Sequence, residues 1–473
     1  MSVRYLTTTL PYVNADPHIG FALELVQADA LVRSWRSKGD EVFFNTGTDE
    51  HGQKIFEAAK KAGKEVQEYV DHYAAEFRKL KDALDLDNPT FIRTTDPKHI
   101  VAAQEMWNRC KAAGDIYEKE YEGLYCVGHE AFITEKDLVD GKCPEHGKEP
   151  QVLKEKNYFF NFKKYQSYLT EYLERPGVIV PEWRRLEALN FVKAGLEDFS
   201  ISREKERLSW GIPVPGDDTQ VMYVWFDALT NYISTLGWPE EEGDFKKFWI
   251  DGQTLQVAGK DQVRFQSLIW QAMLKSAGVK ATDTVFYHGF INSGGQKMSK
   301  SIGNVISPYE LVQKYGTDAT RYLLLRHVHS TEDSDVTWEK LDEWYTANLT
   351  NGLGNLVARV MKLAELYLTP GYQKTLPSNS LAIEECLNNF EFNRALDLIF
   401  EKISATDKVI NDTEPFKLIK TNQEEGTKII IDLILDLYIV AKFLRAFMPK
   451  TSTAIIDAID NHKKPENLFP RLV

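Results

Sequence analysis

The chain has 473 residues, of which 43% are hydrophobic and 12% aromatic, enough to fill the cores of roughly two to four domains. Its formal net charge of −13 excludes a protein that coats nucleic acid nonspecifically, while leaving room for one local basic face. Four cysteines are too few for a disulfide framework. No basic stretch followed by a short apolar run opens the sequence, so no secretory leader is expected and the expected compartment is the cytoplasm.

Residues 3–10 read as a strand, residues 21–38 carry helical apolar spacing, and DEVFFNTG (40–47) returns as a strand. Gly39 follows the helix at the position that usually adopts positive φ. A strand–helix–strand unit of this kind predicts a parallel, doubly wound sheet with ligands at the carboxyl ends of its strands. Two segments leave such ends: the turn TTTLPYVNADPHIG and the loop from Gly47 to Gly52. Helical patterns continue to about Ala113. From about 117 to 215 the texture changes to many aromatics, short runs, Cys and His, which reads as an insertion. QVMYVWFDALTNYI, TLQVAGKDQVRFQSLIWQAML and TVFYHGFI then supply the second half of the sheet. Beyond GGQKMSKSIGN, residues 339–368 and 381–459 repeat i, i+3, i+4 apolar spacing, which predicts a helical bundle. Within it, Asp432, Asp436 and Lys442 interrupt the apolar run 429–444. A membrane span needs roughly 20 nearly unbroken apolar residues, so this is a bundle helix and no membrane partner is expected.

Chemistry concentrates at two places. His18 and Gly20 stand at a helix entrance, where unpaired N–H groups and the helix dipole suit phosphate. Gly20 lets a flat ligand lie against the backbone. Taken alone, such a histidine is as consistent with simple capping of its neighbours. Some 280 residues later, SGGQKMSKSIGN places Lys297 and Lys300 on a glycine-rich loop, where they can neutralise a phosphate chain. Together the two segments point to phosphoryl chemistry rather than to a solvated basic loop. A third signal lies at Cys126-x-x-His129 and Cys143-x-x-His146, two pairs whose spacing suits one tetrahedral, structural Zn²⁺.

His18-Ile19-Gly20-Phe21 and Lys297-Met298-Ser299-Lys300-Ser301 resemble the two signature motifs of class I aminoacyl-tRNA synthetases. LPYVNADPHIG, GTDEHGQKI, YVWFDALTNYI, GKDQVRFQSLIW and HGFINSGGQKMSKSIGNVI are similar, in order and over nearly the whole chain, to the methionyl-tRNA synthetase family. The resemblance implies an α/β architecture: a Rossmann-type parallel sheet split by a connective insertion with a zinc knuckle, followed by an α-helical anticodon-binding bundle. It divides the chain into 1–116 and 216–296 for the two catalytic halves, 117–215 for the insertion, 297–340 for the loop and stem-contact region, and 341–473 for the bundle. The implied reaction joins L-methionine to its tRNA through methionyl-adenylate, with Mg²⁺ arriving on ATP. His18, Lys297 and Lys300 are the implied catalytic residues, and His18, Gly20, His288, Gly289, Met298 and Lys300 the implied ATP contacts. Asp49 would pair with the methionine ammonium. Leu10, Tyr12, Trp225, Ala228, Leu229, Tyr232 and Gln266 would line the side-chain slot.

Such a slot discriminates by only about 1–3 kcal/mol per methylene. Branched-chain relatives therefore add a large editing domain, and an insertion of about 100 residues (117–215) is too small for one. In the bundle, Asn351, Asn355 and Arg359 are four apart and share a helix face. By resemblance Asn355, Arg359 and Phe416 contact the anticodon of tRNA(Met). The chain departs from the family at Phe21 and Gln266, where histidine is usual, at Phe416, normally tryptophan, and at His129, commonly cysteine. No further oligonucleotide-binding domain follows the bundle before Val473, so a monomer is expected. Two rivals stand beside this reading: a shorter nucleotidyltransferase using a similar histidine motif, and a synthetase-like protein that binds tRNA without charging it.

Overall fold

Central strands of a parallel sheet are covered on both faces and so are apolar throughout rather than alternating. Val3–Thr7 and Gln253–Gly259 keep to this only in part: Tyr5, Leu6, Val257 and Ala258 are fully buried, but so are the polar Thr7 and Gln256, and Arg4 at the start of the first strand is half-buried. The structure is a computed structural model that describes residues 1–126, 131–133, 135, 138–144, 147–298, 303–369, 371 and 381–472. The chain divides into two compact units. The first comprises Met1–Pro17, Gly39–Lys79 and Asn88–Tyr287, the second His18–Lys38, Leu80–Asp87 and His288–Val473.

The first unit is built on a six-stranded sheet in the order Thr90–Arg93, Glu41–Thr48, Val3–Thr7, Gln253–Gly259, Thr284–His288, Ile179–Val180. Its neighbours pair in parallel register, with Leu6 opposite Phe44 on one side and Leu255 on the other. Strand order reverses between Val3–Thr7 and Gln253–Gly259, so their carboxyl ends form the switch point where ligands of such sheets bind. At the far end of Glu41–Thr48 the backbone of Gly47 runs against its neighbour. A Cβ there would lie 1.9 Å from the Ile92 carbonyl oxygen, so the close approach requires glycine. Ile179–Val180, within the segment read as the insertion, supplies an edge strand by pairing with Val285–Phe286. Two residues are too few to show a period.

Elsewhere in 117–215 the pairing is antiparallel. Ile116–Cys126 runs against Gln151–Phe160, with Ile116 opposite Phe160 and Tyr125 opposite Gln151, in a four-stranded sheet distinct from the parallel one.

The second unit is mainly helical. Gln423–Leu444 buries Ile430, Leu433, Ile434, Leu437, Val440, Ala441 and Leu444, one stripe at i, i+3, i+4, i+7. Asp436 instead pairs with Lys402 of Phe392–Thr413 at 2.5 Å. Among the described residues no helix is long and apolar enough to cross a membrane.

Candidate active site

Residues with binding chemistry form one cluster in each unit. In the first, Trp225 lies on the short helix Val224–Ala228 and stacks on Phe265, ring centroids 3.9 Å apart and planes 17° apart. Its other side meets Tyr12 edge-on at 6.5 Å. Tyr12 forms a backbone bridge with Asp49: the Asp49 N–H donates to Pro11 O at 3.0 Å and the Val13 N–H to Asp49 O at 3.3 Å. The Asp49 carboxylate is thereby held at the end of Glu41–Thr48 with only 2% of the residue exposed, a position that favours a cationic partner.

Next to Phe265, the buried Gln266 donates through Nε2 to the Tyr232 hydroxyl at 2.5 Å, and its carbonyl accepts from Gln271. Gln266 Oε1 has no hydrogen-bond partner among the described residues. A buried acceptor left so costs about 1–3 kcal/mol, which marks it as an atom for a ligand or water to satisfy. Phe265–Ile269 is wound as a π-helix, a widening that recurs at functional sites. Ala228 and Leu229 are buried on the same segment as Trp225, and Leu10 is half-buried in the turn that precedes Tyr12.

The cluster of the second unit begins at His18. It is the N-cap of Ile19–Ser37, and its Nδ1 accepts from the Gly20 N–H at 3.1 Å. With Nδ1 an acceptor, the neutral ring carries its proton on Nε2 and presents it outward as a donor. A Cβ on Gly20 would fall 2.9 Å from the His18 ring, so this histidine cap needs glycine two residues on. Loss of hydration and the nearby Lys297 charge both hold His18 below the usual imidazole range, although its outer edge meets solvent. Lys297 is exposed, its Nζ 5.3 Å from the Phe290 ring centroid, and Met298 beside it is half-buried. The Ile19 N–H donates to Ile306 O at 3.2 Å, tying the entrance of the His18 helix to the segment that follows the lysine loop.

His288 is buried, with Nε2 3.0 Å from Glu24 and Nδ1 2.8 Å from Gly289 O. A Cβ on Gly289 would meet the Glu332 carbonyl at 2.2 Å, so packing also demands glycine there. Phe21 is buried, at 9% exposure. Lys300 lies outside the described residues.

A protein-family model described as tRNA synthetases class I (M) matches residues 4–151 and 136–361. The methionine--tRNA ligase of Fusobacterium nucleatum is 38% identical over 485 residues, spanning 98% of this chain and 75% of that protein. That of Rickettsia bellii is 37% identical over 489 residues, spanning 99% and 94%. The solved structure of Mycobacterium tuberculosis methionyl-tRNA synthetase in complex with methionyl-adenylate matches with a TM-score of 0.89 at 34% identity, covering 97% of this chain and 94% of that one. Its apo form matches with a TM-score of 0.83 at 30% identity over 100% and 98%. The chain belongs to the class I methionyl-tRNA synthetases.

Of the four residues expected to form a knuckle, Cys126 and Cys143 are buried, at 3% and 1% exposure. Cys126 ends a long strand. Cys143 sits in a tight turn whose Gly147 N–H donates to Cys143 O at 2.8 Å, while the Cys143 N–H donates to Lys148 O at 2.9 Å. His129 and His146 lie outside the described residues. Asn351 and Asn355 line a cavity of about 500 Å³ together with Lys464 and Arg471. Arg359 is directed elsewhere: Nη1 bonds Asp407 at 2.5 Å and Nη2 bonds Asn411 Oδ1 at 2.7 Å. Phe416 is 38% exposed on Pro415–Thr421. The motifs mark the His18 and Trp225 regions and contain Phe265, His51 and Asp227 without assigning them a role, while Glu24 and His99 fall outside them. For Asp227 a signal exists, since a single carboxylate inside VWFDAL has to find a buried donor.

Proposed function

We propose that this synthetase activates L-methionine with ATP and transfers the methionyl group to tRNA(Met). A methionine carboxylate oxygen attacks the α-phosphorus of ATP, and the bond to the β-phosphate oxygen breaks to release pyrophosphate. A terminal ribose hydroxyl of the tRNA then attacks the methionyl carbonyl and AMP departs. The observation that carries the reading is the His18–Lys297 cluster: a neutral imidazole with an outward N–H, a lysine near enough to lower its basicity, and a backbone bond from the histidine motif to the segment after the lysine loop. Phosphoryl-type transfer asks for such placed donors and cations rather than for a protein nucleophile. With Phe21 buried, His18 carries the donor role of its motif alone, and Lys297 and Lys300 supply positive charge to the phosphates. Mg²⁺ belongs to the substrate ATP.

Asp49 takes the ammonium and the Tyr12, Trp225, Tyr232 and Gln266 group takes the thioether side chain. The buried Asp49 and the unsatisfied Gln266 Oε1 support this assignment. For tRNA, the reading assigns the anticodon to Asn355, Arg359 and Phe416, with the cavity beside Asn351 and Asn355 available to a base and Phe416 available for stacking. A cytoplasmic location and a monomeric state are proposed with the same reading.

Two buried cysteine sulfurs and two imidazoles suit zinc, so Cys126, His129, Cys143 and His146 would hold one structural ion that braces the insertion. Protein prepared without chelator should contain about one zinc per chain; metal analysis finding none would reject the site.

Methionine-dependent ATP–pyrophosphate exchange, followed by charging of tRNA(Met), tests the main reading. Exchange without methionine dependence, or none at all, would overturn it.

A further inference from the structure

Asp227 is fully buried in the first unit and has no part in the reaction just described. Its two oxygens are used separately. Oδ2 lies 2.7 Å from His51 Nδ1, and Oδ1 lies 2.7 Å from His99 Nε2, whose Nδ1 is 2.9 Å from Ser234 Oγ. A carboxylate in so dry a place needs N–H donors on both oxygens. That requirement sets both tautomers: His51 donates from Nδ1 and His99 from Nε2, which leaves His99 Nδ1 to accept the Ser234 hydroxyl. Burial alone would raise the Asp227 pKa, but the two imidazoles outweigh it and hold the group below the usual carboxylate range.

What the network joins is specific. His51 stands two residues beyond Asp49. Asp227 stands between Trp225 and Ala228 on a helix of five residues, and Ser234 ends the four-residue helix that contains Tyr232. Helices this short do not hold their own pose in water, so tertiary bonds must fix where their side chains point. We propose that Asp227 is a positioning residue for amino-acid recognition, setting the spacing between the Asp49 loop and the Trp225–Tyr232 wall through His51 on one side and His99 with Ser234 on the other. The inference rests on the methionine assignment above and adds the residues that hold that slot to its width.

A merely structural network would lower stability and depress all kinetic constants alike. A positioning network acts on methionine, because a misplacement of about 1 Å costs on the order of a hundredfold in well-aligned sites. The experiment measures methionine-dependent exchange with each substrate varied in turn, alongside thermal unfolding. Asp227→Asn and His51→Leu should raise the KM for methionine by about tenfold or more while leaving that for ATP nearly unchanged. His51→Asn, whose amide nitrogen stands in for Nδ1 as donor, should recover most of the loss. His99→Gln against His99→Leu gives the same contrast on the other oxygen and serves if Asp227→Asn does not fold. Flat methionine KM values in an active enzyme, equal rises for both substrates, or an Asn variant no better than Leu would each overturn the inference alone. A wild-type chain lacking methionine-dependent exchange would overturn the slot assignment and this inference with it.

Discussion

At His18 the two ring nitrogens have separate tasks. Nδ1 caps the helix through Gly20, and the cap holds the Nε2 proton outward. The two readings that the sequence leaves open, helix cap and phosphate donor, are therefore complementary. The tautomer that joins them depends on ring geometry that no motif records. Ser is a good N-cap but carries no N–H group, so His18→Ser separates the tasks. It should keep thermal stability near wild type while lowering exchange by about 10²–10³-fold, the usual loss for one placed transition-state donor. Equal activity would show that the outer N–H is idle. Protonation of Nδ1 would break the cap. Since the folded pKa is depressed, the stability from neutral His18 is full above the ordinary imidazole value and is lost as pH falls through the lowered one. Lys297 is the second cause of that depression, so Lys297→Gln should move the His18 titration upward in an NMR pH series. A pKa unchanged or lowered would contradict the proximity of the two side chains.

Elements carry the residue geometry only when their ends are fixed. Ser307 begins the helix Pro308–Tyr315 with a capping box: its Oγ accepts from the Tyr309 N–H at 3.2 Å, and its own N–H donates to Glu310 Oε2 at 3.4 Å. The residue before it, Ile306, supplies the carbonyl that holds Ile19. Ser307→Ala should therefore cost about 1 kcal/mol in thermal unfolding and slow exchange modestly, whereas Ser307→Asp should retain both. No difference between Ala and Asp would remove the cap from the account. The text S-P-Y-E carries this signal in full, a cap, proline at the first turn and glutamate three residues on. Other elements carry none. Ile179–Val180 reaches the sheet edge with two residues, too few for alternation to register. The π-helix at Phe265–Ile269 that places the aromatic stack depends on a local backbone choice that side-chain periodicity does not encode.

Across the whole molecule, the division into units does not follow chain order. Ile19–Ser37 is coded next to the first strand, yet it packs in the second unit with the C-terminal helices. A buried charge is among the contacts that hold it there. Asp29 on that helix is wholly enclosed and pairs with Arg33 at 2.7 Å and with Arg321, also fully buried, at 2.6 Å. Arg321 sends its remaining donors to the carbonyls of Phe447 at 2.7 Å, Leu84 at 3.0 Å and Ala446 at 3.1 Å. One guanidinium thus fastens the helix that starts at His18 to the corner that follows Gln423–Leu444. Local pattern can mark both helices, but it does not pair Asp29 with a residue 292 positions later (321 − 29). Removing one partner of a buried pair costs about 3–5 kcal/mol where the other charge is left alone; here Arg33 stays with Asp29, so the loss falls towards the low end, with three buried carbonyls also losing their donor. Arg321→Met should accordingly lower the unfolding temperature of the second unit by many degrees. Arg321→Lys should recover only part, since an ammonium cannot reproduce a planar fork aimed at a carboxylate and three carbonyls. Thermal scans of both variants, with exchange measured well below their transitions, check this directly: a Lys variant equal to wild type in stability and exchange would mean that charge alone, not the fork, holds the His18 helix to the bundle.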